Sequence, residues 1–185
     1  MDITFILDVS GSVESEYEMT INFARAVVQG LDMSVGRSQV AAVAFSSDVV
    51  DFFPLNRYTD KESVLTALYF FHQLGRTNAQ AAIRKMRNDI FTPSGGDRFG
   101  IPNIAILVSD GNSNVDEFNT IPEANRAKDQ DIEIITVAIG ENVNLIELEQ
   151  VASEVDSDHI YRLERTEDID EVARRLLDYV CQVSN

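Results

Sequence analysis

The chain has 185 residues, of which 44% are hydrophobic and 25% are charged, as in an ordinary globular domain. Its 15 Lys and Arg against 31 Asp and Glu give a formal net charge of −16, and a surface this negative repels phosphate groups. We therefore expect no nucleic-acid binding and no docking to anionic membranes. No apolar run is long enough to cross a bilayer, so we expect no membrane insertion either.

This length can bury a substantial core, and we expect one domain over residues 1–185 with its core between residues 2 and 180. Met1 leads directly into a buried strand, so we expect the domain to have been excised from a larger multidomain protein. The single cysteine, Cys181, is either a thiol of a reduced compartment or half of a disulfide whose partner lies outside this chain. The oligomeric state is not indicated by the sequence.

Mostly apolar runs predict six strands. The first, residues 3–7, is β-branched, aromatic or aliphatic throughout, which is typical of a strand buried on both faces of a parallel sheet. Further runs predict strands at residues 38–46, 49–53, 104–109, 132–139 and 159–163. Ser47 and Asp48 form a tight turn, which predicts a hairpin between the second and third strands.

Amphipathic stretches between these strands predict helices. Apolar residues at helical spacing run from Tyr17 to Leu31, with Ser12 or Ser15 expected as the N-cap. The remaining helices are predicted at residues 59–74, 79–90, 122–129, 145–155 and 169–180. This alternation predicts an α/β fold that is Rossmann-like and doubly wound: a mostly parallel six-stranded sheet with one antiparallel edge strand and helices on both faces.

Oxygen-bearing side chains cluster where two of the predicted strands end. Asp8, Ser10 and Ser12 follow the first strand, and Asp110 ends the fourth. In doubly wound sheets ligands bind beyond the carboxyl ends of the strands, and the loop with Thr77 reaches the same end. Carboxylates and hydroxyls are hard ligands for metal ions, although each residue taken alone is more often a turn former or a helix cap.

Three segments carry a family resemblance. They are DVSGS at residues 8–12, LGRTNAQAAIRKM at 74–86 and ILVSDGNSN at 106–114. The first resembles the Asp-x-Ser-x-Ser signature of von Willebrand factor A domains and integrin inserted domains. The segment at 74–86 is similar to their segment with a metal-binding threonine, and the segment at 106–114 is similar to their strand that ends in another aspartate. All three occur in the family's order, and the resemblance covers residues 2–180.

The resemblance implies a metal-ion-dependent adhesion site (MIDAS). Ser10 and Ser12 would coordinate the ion directly, Thr77 would do so directly or through water, and Asp8 and Asp110 would hold the coordinating waters. Mg²⁺ suits this set because it prefers octahedral oxygen ligands at about 2.1 Å and keeps several waters, and Mn²⁺ and Ca²⁺ are alternatives. No histidine or thiol is expected nearby, which disfavours zinc and copper.

The resemblance also implies a function. We expect a secreted, extracellular module rather than an enzyme, which binds an acidic group of a matrix protein such as collagen. Arg76, Asn78 and Asn112 are expected at the rim of the site, where they would contact that partner. Ala79 departs from the second threonine of many members, and the loop at residues 112–119 is too short for the extra helix of collagen-binding integrin domains.

The sequence is compatible with two other functions. One is a structural matrix module that binds Ca²⁺ or mineral, or binds its partner away from the metal. The other is a Mg²⁺-dependent phosphotransferase of the haloacid-dehalogenase type with Asp8 as the nucleophile. Those enzymes usually need a second Asp where this chain has Ser10, and a Lys that is not found near these loops. His72 and His159 are interpreted as structural or surface residues.

Overall fold

One sheet organises the molecule. The computed structural model describes residues 1–183, and its strands are Asp2–Asp8 (β1), Gln39–Phe45 (β2), Val49–Phe53 (β3), Asn103–Ser109 (β4), Ile132–Ile139 (β5) and Ile160–Leu163 (β6). They form a six-stranded sheet in the order β3-β2-β1-β4-β5-β6. All neighbouring strands are parallel except β2 and β3, which form the predicted hairpin. The fold predicted from the sequence is confirmed.

Helices cover both faces of the sheet. They are Tyr17–Gly30 (α1), Lys61–Ala67 (α2), Ala79–Lys85 (α3), Thr120–Lys128 (α4), Leu145–Val151 (α5) and Ile169–Val183 (α6). The face of the sheet that carries Phe5 and Leu7 packs against α1, α2 and α6. The opposite face, which carries Ile6, packs against α3, α4 and α5, because successive side chains of a strand point to opposite faces. Within residues 1–183, none of these helices is both long and apolar enough to span a membrane.

The strand order reverses between β1 and β4. From β1 the chain first builds outward to β2 and β3, and it then returns to add β4, β5 and β6 on the other side. The crevice at such a reversal is where open α/β sheets bind their ligands. β1 ends in Asp8, and Asp110 directly follows β4, so the two carboxylates come to the same crevice.

The helix predicted at residues 59–74 ends early. α2 stops at Ala67, and a non-helical segment then runs along the loop that follows β1. The N–H of Gln73 donates to the carbonyl of Val9 at 2.8 Å in place of a helical partner. This tertiary hydrogen bonding explains why Phe71, which fits an apolar helix face in the sequence, is exposed instead.

Three other element ends differ from the sequence expectations. Val155 lies outside α5 and is exposed. The helix α3 is followed by a wider π-helical turn over residues 86–90. The predicted N-cap of α1 is wrong. Glu16 takes the cap position without a side-chain hydrogen bond, and Ser12 contacts other hydroxyl groups.

Candidate metal centre

Three hydroxyl oxygens meet beyond the carboxyl end of β1. Ser10 Oγ lies 3.1 Å from Ser12 Oγ and 2.9 Å from Thr77 Oγ1, and Ser12 Oγ lies 3.1 Å from Thr77 Oγ1. Ser10 and Thr77 are buried whereas Ser12 is exposed, so the group opens to solvent on the Ser12 side. We call these three side chains the hydroxyl triangle.

The edges of the hydroxyl triangle match the ligand spacing around a hard octahedral cation. Mg²⁺ with oxygens at about 2.1 Å places adjacent ligands about 3.0 Å apart, within the range of the observed edges of 2.9 to 3.1 Å. Tetrahedral zinc at similar bond lengths places adjacent ligands about 3.4 Å apart. The spacing is compatible with a face of an octahedron, and it is equally the spacing of hydroxyl groups that hydrogen-bond to one another.

Asp8 precedes this loop and is completely buried. One carboxylate oxygen accepts the N–H of Ser10 at 3.0 Å, and the other accepts the hydroxyl of Ser109 at 2.7 Å. Burial raises the pKa of Asp8 to about 6 in spite of these hydrogen bonds, and the charge of Asp110 adds to the increase. Keeping this carboxylate ionised at neutral pH costs folding free energy, and a bound cation would offset that cost.

Asp110 approaches the same place from the end of β4. Its charge acts on Asp8, one of its carboxylate oxygens accepts the N–H of Asn112 at 2.9 Å, and its carbonyl accepts the N–H of Asn144 at 2.8 Å. The other carboxylate oxygen accepts no hydrogen bond from residues 1–183, which leaves it open to metal-bound water. Gly111 makes the turn with φ of 73°, and a Cβ there would lie 2.6 Å from the Asn144 carbonyl oxygen.

Two supporting residues were not singled out in the sequence. Ser109 holds Asp8 from β4 by the hydroxyl hydrogen bond described above. The side chain of Asn114 accepts the N–H of Thr77 at 3.0 Å, and the N–H of Asn114 donates to the Thr77 carbonyl at 2.9 Å. Both residues lie in the segment 106–114 that carries the family resemblance, but their supporting roles are evident only from the hydrogen bonds that they form in the folded structure.

His72 lies against the loop that carries the hydroxyl triangle. Its Nε2 is 3.0 Å from the carbonyl oxygen of Ser10, and because a carbonyl only accepts, this nitrogen carries the proton and donates. The imidazole ring packs on Tyr17 with the ring centroids 5.4 Å apart. The expectation that no histidine lies nearby is therefore wrong. Since its Nε2 is engaged by backbone, His72 supports the loop rather than offering that nitrogen to a metal.

Gly75 allows the segment before α3 to approach the β1 loop closely. The N–H of Gly11 donates to the Gly75 carbonyl at 3.0 Å. A Cβ on Gly75 would lie 2.3 Å from Ser46 Oγ and 2.8 Å from Ser47 Oγ. A larger residue would displace these two hydroxyl groups, which hydrogen-bond to the backbone of Arg76 next to Thr77.

The three predicted rim residues differ in what they offer to a partner. Arg76 and Asn112 are exposed, and both donate to backbone carbonyls of neighbouring loops. Asn78 is buried: its Oδ1 accepts the N–H of Ala81 at 3.2 Å, and its Nδ2 donates to the Ser47 carbonyl at 3.0 Å. Asn78 is thus the N-cap of α3 and is not exposed at the rim, while Arg76 and Asn112 remain predicted rim residues.

Other metal-binding or catalytic groups are scarce around the centre. Residues 1–183 contain no cluster of three His, Cys, Asp or Glu side chains able to hold a metal. The chain has three lysines, and each is bonded elsewhere: Lys61 to the Gln29 carbonyl, Lys85 to Asp89, and Lys128 to the carbonyls of Gln150 and Ala152. Cys181 is exposed on α6 beside a cavity of about 260 Å³ that Met1 also lines.

Comparison with known proteins identifies relatives along nearly the whole chain. The family model of the von Willebrand factor type A domain matches residues 2–175. Matrilin-1 of Mus musculus is 31% identical over 182 residues, which cover 97% of this chain and 36% of that protein. Von Willebrand factor of Rattus norvegicus is 29% identical over 155 residues, which cover 82% of this chain and 34% of that protein. The chain thus spans about a third of the length of these relatives.

Solved structures agree with the sequence relatives. Proximal thread matrix protein 1 from the mussel byssus, with a zinc-occupied MIDAS motif, superposes with a TM-score of 0.86 at 25% identity, covering 97% of this chain and 48% of that one. BatB from Bacteroides thetaiotaomicron superposes with a TM-score of 0.75 at 16% identity over 98% of this chain and 99% of that one, a similarity of fold alone. The resemblance carried by the three sequence segments is confirmed, and the chain belongs to the von Willebrand factor type A domain family.

Proposed function

We propose that this domain is an extracellular adhesion module that holds a divalent cation at the hydroxyl triangle and binds an acidic side chain of a matrix protein through it. The observation that carries the proposal is the triangle itself, in which two loops bring three hydroxyl oxygens within 3.1 Å of one another. A helix cap or a turn at the end of β1 would not require Thr77 to join Ser10 and Ser12.

Each residue of the centre has a separate task in this proposal. The hydroxyls of the triangle would bind the cation, and Asp8 and Asp110 would accept hydrogen bonds from its waters. Because no carboxylate of the domain binds it directly, the cation supplies an electrophilic position for a partner's carboxylate. Ser109 and His72 would keep Asp8 and the Ser10 backbone in place.

Mg²⁺ is the cation that we propose, with Mn²⁺ and Ca²⁺ as alternatives. All three prefer oxygen ligands, and a site with hydroxyl ligands and room for several waters suits the small octahedral ion. The byssus protein carries zinc in its MIDAS motif, so zinc belongs in the test as a competitor.

A matrix protein, with collagen as the first candidate, is the partner that we propose. Similarity to matrilin-1, to von Willebrand factor and to a thread matrix protein supports this partner class and an extracellular location. The acidic surface agrees with a protein partner rather than a nucleic acid or an anionic membrane.

The test measures cation binding and adhesion separately. Calorimetric titration with MgCl₂ should give one site in the wild-type domain and a loss of binding in Ser12→Ala, which alters an exposed side chain. Ser15→Ala is the matched control, because Ser15 is an exposed hydroxyl that bonds only to Glu16. Surface plasmon resonance on collagen and on matrix extract should show binding in Mg²⁺ and none in EDTA. Equal binding in EDTA would overturn the adhesion mechanism.

A second candidate function is binding of a partner away from the metal. A groove of about 530 Å³ between β3 and α3 favours it, because Phe52 and Arg84 offer an apolar and a basic contact there. Asp48 and Asp51 line the same groove, and Lys85 is paired with Asp89. In the same resonance assay this mode would persist in EDTA and in Ser12→Ala, and it would be lost in Arg84→Glu.

A further inference from the structure

We propose that four side chains form a proton-dependent latch that fixes the C-terminal part of α6 to the sheet. They are His159, Glu133, Asp156 and Tyr179, and we call them the histidine latch. The latch is complete when the imidazole ring of His159 carries two protons, and it loses a hydrogen bond when the ring carries one. The end of α6 is therefore held more firmly in mildly acidic than in alkaline solution. The inference is independent of the proposed cation and of the matrix partner.

The histidine latch joins three elements at the amino ends of β5 and β6. His159 directly precedes β6, and Glu133 is the second residue of β5. Tyr179 lies in the last part of α6, and Asp156 belongs to the loop between α5 and β6. Because β1, β4, β5 and β6 are parallel, the latch lies at the opposite end of the sheet from the candidate metal centre.

Both ring nitrogens of His159 face carboxylate oxygens. Nδ1 lies 2.8 Å from Asp156 Oδ1, and Nε2 lies 3.1 Å from Glu133 Oε1. The hydroxyl of Tyr179 donates to the same oxygen of Glu133 and lies 3.1 Å from His159 Nε2. The rings of His159 and Tyr179 meet edge to face with their centroids 5.2 Å apart. Since His159 is 7% exposed, water has little access to replace a lost partner of its ring.

The number of protons on the ring decides whether the latch is satisfied. A carboxylate only accepts, so the contacts of Nδ1 and Nε2 are both hydrogen bonds only if each nitrogen carries a proton. A ring with one proton leaves a nitrogen lone pair directed at a carboxylate oxygen, either at Asp156 or at Glu133. An acceptor that is buried without a donor is costly. Removing one proton from His159 therefore costs the latch a hydrogen bond in either tautomer.

The proton on Nε2 is the one that connects the ring to α6. Asp156 Oδ1 is fixed in front of Nδ1, because it also accepts the backbone N–H of His159 and that of Asp158, each at 3.0 Å. A bare Nδ1 would have only this oxygen before it, whereas a bare Nε2 can accept the hydroxyl of Tyr179. The ring with one proton therefore keeps it on Nδ1.

Tyr179 cannot satisfy both remaining acceptors. Burial and the hydrogen bond to Glu133 raise the pKa of the Tyr179 hydroxyl above its usual range, so the group remains a neutral donor with a single proton. It can donate to Glu133 or to the bare Nε2 of His159, and the other acceptor then has no donor while α6 stays in place. Opening of the end of α6 exposes both acceptors to water. Loss of the Nε2 proton thus makes this opening less costly.

Acidic groups surround His159. Glu133 faces it from β5, Asp156 and Asp158 lie in the loop before β6, and Tyr179 is the titratable group that reaches it from α6. Within residues 1–183, these three carboxylates form no ion pair with a lysine or an arginine. The hydrogen bond from His159 lowers the pKa of the Asp156 carboxyl, which therefore stays ionised in mildly acidic solution. The second proton on His159 is thus the charge that balances this group.

The latch makes one end of a helix respond to protons. α6 packs against α1 and the sheet mainly through apolar side chains, and such contacts do not depend on pH. Helix ends open with smaller free energies than the core of a domain, so the loss of one polar contact there has a local effect. Histidine side chains change their charge between about pH 5 and pH 8, the range in which the effect is expected.

Hydrogen–deuterium exchange followed by NMR tests the latch in the wild-type domain. The measurements are made in EDTA at about pH 5.5 and about pH 8, on either side of the usual titration of histidine. Protection factors correct for the intrinsic pH dependence of exchange. For the amides of residues 177–183 they should fall about tenfold as the pH rises, as the loss of a hydrogen bond to a charged group predicts. The amides of α4, on the other face of the sheet, are the internal control and should change much less.

Two variants assign the pH dependence to the latch. Tyr179→Phe keeps the aromatic ring and removes the hydroxyl, so the end of α6 should exchange faster in acidic solution and lose most of its pH dependence. His159→Gln should also remove the pH dependence, because an amide does not titrate. His72→Gln is the matched control. His72 is the second histidine of the chain, it bonds to the Ser10 carbonyl at the other end of the sheet, and its replacement should leave the pH dependence of α6 unchanged.

The outcomes separate this inference from the proposed function. Equal protection of the end of α6 at both pH values in the wild-type domain would overturn the latch. A pH dependence that persists in Tyr179→Phe or in His159→Gln belongs to other groups and would overturn it as well. If His159→Gln does not fold, Tyr179→Phe decides the question. Absence of Mg²⁺ binding in calorimetry contradicts the proposed function and does not affect the latch.

Discussion

Ser10 Oγ and Thr77 Oγ1 lie 2.9 Å apart although 67 residues separate them in the chain. The contact exists because Ser10 follows the central strand β1, while hydrogen bonds to Val9 and Gly11 hold the segment before α3 against the same loop. The loop after β1 and the segment before α3 thus bring these two oxygens to a distance that adjacent ligands of Mg²⁺ can have. The centre therefore depends on the residues that position these loops as well as on its ligands.

Replacing Thr77 by Val should remove one corner of the hydroxyl triangle. Val has nearly the same shape as Thr but has no hydroxyl, so we expect Mg²⁺ affinity to fall about tenfold or more while the fold is retained. Calorimetric titration measures the affinity, and Thr77→Ser should retain most of it. Thr166→Val, at an exposed position in the loop before α6, is the control. Wild-type affinity in Thr77→Val would remove Thr77 from the ligand set.

Replacing Asp8 by Asn should stabilise the metal-free domain at pH 7. The pKa of Asp8 is about 6 in the folded state against 3.8 as its ordinary value, so ionising Asp8 reduces stability as the pH rises between these values. Asn keeps an acceptor for the Ser10 N–H without the charge. We expect a gain on the order of 1–3 kcal/mol at pH 7 that disappears below about pH 4.

Urea unfolding in EDTA at pH 4 and pH 7 measures this difference in stability. At saturating Mg²⁺ the order should reverse, because the wild-type carboxylate then gains the stabilisation of the bound ion. A wild-type domain that is the more stable of the two in EDTA at pH 7 would contradict the assigned pKa of Asp8.

Replacing His72 by Ala should weaken Mg²⁺ binding without removing any ligand. The imidazole donates to the Ser10 carbonyl, and its loss frees the loop that carries Ser10 and Ser12. We expect affinity to fall about tenfold, as for other residues that position ligands. His72→Gln can place an amide N–H near the same carbonyl and should restore part of the affinity. Equal affinities in all three proteins would show that the loop does not need this hydrogen bond.

Replacing Arg98 by Ala should destabilise the fold without affecting the metal centre. Arg98 makes two hydrogen bonds to Oδ1 of Asp2, at 2.9 and 2.6 Å, and Asp2 is fully buried at the start of β1. Removing the guanidinium leaves a buried charge without its partner, which costs about 3–5 kcal/mol. Urea unfolding should show this loss, whereas Arg165→Ala, which breaks an exposed pair with Asp168, should have a much smaller effect on stability. Similar losses in both variants would contradict this account.

Local patterns predict the sheet well and the segment after α2 poorly. The four inner strands β1, β2, β4 and β5 are buried on both faces, so their runs of apolar residues are unambiguous in the sequence. Leu68, Phe71 and His72 also follow helical spacing, but α2 ends before them because the β1 loop offers tertiary hydrogen-bond partners. Hydrophobic periodicity contains no information about a hydrogen-bond partner that lies more than 60 residues away in the chain.

The sequence by itself determined the α/β fold, the hairpin at the edge, the family and the five oxygen-bearing residues of the candidate centre. These follow from hydrophobic periodicity, turn chemistry and the order of three short segments. Only the tertiary structure decided that Asn78 is a helix cap, that His72 supports the loop, and that the hydroxyls of Ser10, Ser12 and Thr77 meet. Distances between loops depend on strand order and on hydrogen bonds between distant segments, which no local pattern contains.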